Sequence, residues 1–157
     1  GDTFQYAQDS NDEVFAIDRF DIATGETTRI AGGAGGAVRP TPSPDGKWLA
    51  FVKRERAKSK LYLKDLSTGA ERKIFDALDQ DVQETWAVHG VYPAMDWTPD
   101  SRSIVFWAGG KIRRVTTDGA ASVIPFRVAD DRDVIDPPRP AVDVSPDAFD
   151  TTAPRFA

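Results

Sequence analysis

The chain has 157 residues, with 20 Lys plus Arg against 25 Asp plus Glu and a formal net charge of −5, a balance that argues against a nucleic-acid partner, which selects a basic face. An apolar fraction of 40%, including nine Phe and four Trp, argues against disorder, and no apolar run approaches the roughly 20 residues of a membrane-spanning helix. Cysteine is absent, which removes a disulfide frame, a thiolate zinc site and a cysteine nucleophile.

In chain order, the first turn signal is Phe20-Asp21-Ile22-Ala23-Thr24-Gly25, followed by the glycine-rich stretch Gly32-Gly33-Ala34-Gly35-Gly36. That stretch lacks the Lys-Ser/Thr and helix of a phosphate loop and is expected to be a flexible connection. Next comes Ser43-Pro44-Asp45-Gly46-Lys47-Trp48-Leu49-Ala50-Phe51. Proline presets φ for a turn, Asp bonds back to nearby backbone, and Gly takes the positive φ that closes it. The apolar run after the turn is continuous rather than alternating, which suits a strand covered on both faces. Five of the eight residues at 53–60 are basic, a composition expected of a solvated hairpin tip, and the loop they form is expected to be five residues longer than the matching one in the next unit. Leu61-Tyr62-Leu63-Lys64-Asp65-Leu66-Ser67-Thr68-Gly69 repeats the first turn signal.

The pattern then recurs. Thr98-Pro99-Asp100-Ser101-Arg102-Ser103-Ile104-Val105-Phe106 matches the stretch from Ser43 at an offset of 55, with Ser101 in the glycine position. Serine there is expected to cost turn stability. Gly109-Gly110 separates two apolar runs, a hairpin signal, and Ile112-Arg113-Arg114-Val115-Thr116-Thr117-Asp118-Gly119 closes the copy. Five residues after each turn glycine (Gly25, Gly69 and Gly119) stands an isoleucine: Ile30, Ile74 and Ile124. Units of about 40–50 residues holding four short strands are the signature of propeller blades. The expected fold is therefore all-β: a partial β-propeller of about two and a half blades of four-stranded antiparallel sheet, with a β-sandwich as the main rival. Its expected parts are 1–38 as a partial blade and connection, 39–75 as a blade, 76–90 as an inter-blade insertion, 91–126 as a blade, and 127–157 as an acidic, proline-rich connection. The one weak helical pattern falls within residues 76–88, and a new strand is expected near Ala153. An open stack of blades leaves sheet faces uncovered, so such a segment is expected either to belong to a longer chain or to associate with copies of itself.

Catalytic and metal-binding sets are missing from the residues themselves. His89 is the sole histidine, so no histidine pair can hold zinc; no Ser-His-Asp triad has an obvious support, and no Gly-x-Ser-x-Gly elbow occurs. The carboxylates of residues 129–136 lack the glycine and glutamate of a calcium loop. The interval from Ile74 to Pro99 exceeds that from Ile30 to Pro44 by 11 residues, and insertions between blades lie on a rim, where binding loops are found. Within it, Asp81, Glu84, Trp86 and His89 combine acids, an indole and an imidazole. They are the candidate residues for contact with a ligand or another domain.

The two signatures beginning at Ser43 and Leu61 resemble the TolB-like propeller repeat of bacterial periplasmic and secreted proteins, which also occurs in prolyl oligopeptidase-type serine peptidases. The insertion, running through Trp86-Ala87-Val88-His89-Gly90-Val91-Tyr92-Pro93-Ala94-Met95-Asp96-Trp97, resembles a branch of large secreted amidohydrolases, as do Trp107-Ala108-Gly109-Gly110-Lys111-Ile112 and Ile124-Pro125-Phe126. In that family a TolB-like propeller precedes a metal-dependent barrel. The resemblance implies a periplasmic or secreted bacterial parent whose catalytic domain lies downstream and holds a divalent metal. This segment would hold no cofactor, with structural and gating roles only. Its partners would be that domain or copies of itself. A TolB-like protein-binding scaffold and a serine-peptidase propeller are the alternatives.

Overall fold

The computed structural model describes residues 15–56, 58–80, 92–136 and 138. The chain divides into two units, Gly1–Phe126 and Arg127–Ala157. The described part of the second carries neither strand nor helix and is exposed throughout, with the Arg132 guanidinium paired to Asp130.

All ten described strands belong to the first unit. They are β1 (Ile17–Phe20), β2 (Thr27–Ala31), β3 (Val38–Pro42), β4 (Trp48–Glu55), β5 (Lys58–Asp65), β6 (Glu71–Phe75), β7 (Met95–Trp97), β8 (Ser103–Ala108), β9 (Lys111–Thr116) and β10 (Ala121–Ile124). Every pairing is antiparallel. Two four-stranded meanders, β3-β4-β5-β6 and β7-β8-β9-β10, follow a two-stranded sheet, β1-β2. No helix of the described residues is long and apolar enough to cross a membrane.

The unbroken apolar run of β4 divides between two cores by the period-two alternation of a strand. Leu49 and Phe51 face back onto Ile17, Ala31 and Ala37 beside β1-β2. Ala50, with Leu61, Leu63 and Ile74 of its own sheet, faces forward onto Trp97, Ile104, Phe106 and Val115 of the next. A strand with helices or sheets on both sides has no polar face to spare, which is why the run does not alternate. The edge strands β3 and β7 touch, and there the Trp97 indole donates to the Thr41 carbonyl at 2.9 Å.

The repeated turns are built by the same atoms. Asp45 accepts from the Ser43 hydroxyl at 2.6 Å and the Lys47 amide at 3.1 Å, while Trp48 N–H donates to Ser43 Oγ at 2.9 Å. In the second copy, Asp100 accepts from Thr98 Oγ1 at 2.6 Å and the Arg102 amide at 3.1 Å, and Ser103 N–H donates to Thr98 Oγ1 at 3.1 Å. Ser101 does adopt the left-handed conformation of Gly46, with φ 58° against 71°. However, its hydroxyl accepts the Asp45 amide of the preceding sheet's turn at 3.1 Å. The strain of a non-glycine residue there, about 1–2 kcal/mol, is thus offset by a bond between sheets that glycine could not make.

Two expectations about connections need correction. Residues 53–60 are not a longer loop: β4 and β5 stay paired through Glu55 and Lys58, so the extra length is strand, projecting past the ends of β3 and β6. The glycine-rich stretch is not a loose tether either. It lies along the projecting part of β4, where Arg54 N–H donates to the Gly35 carbonyl at 3.3 Å. Gly35 has φ 84°, and a Cβ there would stand 2.0 Å from the Arg54 carbonyl oxygen. Close backbone approach and positive φ together demand glycine.

Candidate functional site

Meander connectivity sorts the loops between two ends of the blades. One end receives only tight turns: residues 21–25, 43–47, 65–69, 98–102 and 116–119. The other receives the β2–β3 connection, the β4–β5 tip, the β6–β7 insertion and the Gly109-Gly110 turn.

The tight-turn end is rich in carboxylates, but their lone pairs are committed. Asp21 is held below its ordinary pKa first by the Thr24 amide and then by that of Ala23. Asp45, Asp65, Asp100 and Asp118 are lowered chiefly by the hydroxyls of Ser43, Ser67, Thr98 and Thr116 respectively. A carboxylate that accepts several local hydrogen bonds is stabilised in its charged form and serves as a turn brace. Such groups are poorly suited to accept a proton near neutral pH.

The opposite end carries basic charge on the projecting β4–β5 ribbon. Lys53 Nζ donates to the Gly32 carbonyl at 3.2 Å, and Lys60 pairs with Glu55. Hydrogen bonding to Lys60 lowers the Glu55 pKa, and the same bond raises that of Lys60. Arg56 and Lys58 are exposed at the tip.

At this end the insertion connects the outer strand β6 to the edge strand β7. Its first foot is fixed at three points. Phe75 meets Phe106 edge-to-face at 5.0 Å, Leu78 packs on the core between the four-stranded sheets, and the Asp79 carboxylate accepts the Gly109 amide at 2.9 and 3.1 Å. Arg113 stacks over Phe75 at 5.5 Å and donates to the Ala108 carbonyl at 3.0 Å. The second foot, Tyr92 and Pro93, is buried where the chain enters β7. Asp81, Glu84, Trp86 and His89 all lie outside the described residues. Asp79 was not singled out from the sequence: its partner is 30 residues away, and no local pattern announces the pair. Among the described residues no group of three or more His, Cys, Asp or Glu is placed to hold a metal ion.

Stacked four-stranded meanders whose corresponding edge strands meet define the class: an all-β chain of the propeller type. Solved structures of TolB proteins share this fold. TolB from Acinetobacter baumannii matches with a TM-score of 0.54 and 22% identity over 74% of this chain and 28% of its own. A putative TolB from Agrobacterium tumefaciens matches with a TM-score of 0.52 and 20% identity over 69% of this chain and 40% of its own. The chain thus spans less than half the length of either. No family model matches it, and no curated protein does.

Proposed function

We propose that this chain is the blade segment of a larger periplasmic or secreted bacterial amidohydrolase. In this role it supports a downstream catalytic domain and gates substrate through the inter-blade insertion. The observation that carries the reading is the anchoring of that insertion. The described ends of the loop are fixed, by Asp79 on Gly109 and by the burial of Tyr92 and Pro93, which supports reading it as a rim feature. The residues that run through the second foot are also those that resemble the amidohydrolase branch. In this reading the divalent metal, which polarises substrate and activates water, belongs to the downstream domain.

The likeness to TolB folds favours a second reading, a non-enzymatic scaffold of the bacterial envelope. One determination separates the two. The natural reading frame past Ala157 is expected to encode further repeats and then a His-x-His motif, with hydrolysis of a C–N bond lost to a chelator and restored by a divalent metal. A frame that ends without any catalytic domain leaves the scaffold, and a Gly-x-Ser-x-Gly elbow makes the parent a serine peptidase.

A further inference from the structure

The sheets stack in one direction, each covered by the next, and the register shows what the last described sheet presents forward. In β8, Ile104, Phe106 and Ala108 face back into the core, so Val105 and Trp107 point the other way. Cross-strand pairing adds Arg114 opposite Val105 and Ile112 opposite Trp107, then Ile124 opposite Ile112. These residues occupy the places that Ala50, Val52, Leu63, Leu61 and Ile74 hold in the preceding sheet, where all five are buried. On the last sheet Val105, Ile112 and Ile124 are only half-buried, and Trp107 is 41% exposed.

We propose that this face is an interface for another four-stranded antiparallel sheet that continues the repeat in the same polypeptide. The interface already present between the two complete sheets supplies its pattern. There the polar links are Trp97 Nε1 to the Thr41 carbonyl and the Asp45 amide to Ser101 Oγ. Thr41 and Asp96 are equivalent, lying opposite Ala50 and Val105. Asp45 and Asp100 hold the same place in their turns. The incoming sheet therefore brings an indole donor to the Asp96 carbonyl and a hydroxyl to the Asp100 amide. It differs in polarity from the existing interface at one point: Arg114 replaces Leu63, and a covered guanidinium requires an oxygen acceptor from the newcomer. A second copy fits this face poorly. Among the described residues the backward faces of its two complete sheets are already covered, and the remaining sheet, β1-β2, is narrower than four strands.

This proposal rests on the propeller part of the function proposed above and not on the amidohydrolase parent. The test is hydroxyl-radical footprinting of Trp107, read by mass spectrometry, in the 157-residue chain and in the longest natural chain that contains it. Light scattering is run on both. The expected result is oxidation of Trp107 in the short chain and protection to the level of buried Trp97 in the long one. Trp107→Asp should then lower the melting temperature of the long chain only. Equal oxidation in both chains overturns the proposal. So does protection in a monomeric short chain, which assigns the cover to residues within it, or protection that accompanies a dimer, which assigns it to a second copy. A frame ending at Ala157 overturns it as well. A long chain that protects Trp107 but encodes no His-x-His motif keeps this inference and ends the amidohydrolase reading.

Discussion

Replacing Phe51 or Phe106 by alanine tests the repeat alignment directly, because the two occupy equivalent positions in successive blades. Phe51 is fully buried and Phe106 is 3% exposed. Each faces the preceding sheet, and each meets one aromatic ring: Phe51 lies 5.8 Å from Tyr62 at a tilt, and Phe106 lies 5.0 Å from Phe75 edge-to-face. A phenylalanine buries roughly 150–250 Å², which at about 25 cal/mol per Å² sets a ceiling of about 4–6 kcal/mol. The unfolded chain already hides part of that surface, and alanine keeps the Cβ, so the expected loss is about 3–5 kcal/mol at each site. Urea unfolding, followed by tryptophan fluorescence and far-UV circular dichroism, measures it. The milder Phe→Leu pair adds a further check. The two residues lie in separate cores, so their effects should add within about 0.5 kcal/mol. A loss below about 1 kcal/mol at either alanine, or strong coupling between the leucines, would refute the equivalence.

Gly35→Ala forces a Cβ into the Arg54 carbonyl at a positive φ, and should cost about 2–4 kcal/mol from strain and overpacking together; a neutral result by denaturant titration would show that the connection is loose. At Ser101 the two substitutions should differ. Ser101→Ala keeps the strained φ and loses the bond to the Asp45 amide, and should be about 1–2 kcal/mol less stable than Ser101→Gly, which releases the strain. Equal stabilities would mean that the left-handed φ at this position carries no strain. Acid should unfold the chain from the turn end. The folded pKa values of Asp21, Asp45, Asp65, Asp100 and Asp118 lie below the ordinary 3.8. Their contribution is therefore present above that pH and is lost as the pH falls through the folded values. The urea midpoint should drop in that window, less steeply in Asp45→Asn and Asp100→Asn, and a flat midpoint would sink the assignment.

The repeat was legible in the sequence because its turns are local. Asp45 with Ser43 and Lys47, and Asp65 with Ser67 and Thr68, close their hydrogen bonds within three residues, so residue type and spacing determine them. The same holds for the two-sided burial of β4, written in an apolar run that never alternates. Sequence reading went astray at residues 32–36 and 53–60, where glycines and lysines look alike whether they are solvated or paired. Tertiary structure alone decided the long-range partners. Asp79 found Gly109 across 30 residues, and Ser101 found Asp45 across 56. Trp97 reached the Thr41 carbonyl over the same separation. Such contacts depend on how one sheet is laid upon the next, and the order of residues along a strand carries only the faces that meet, not the atoms that touch.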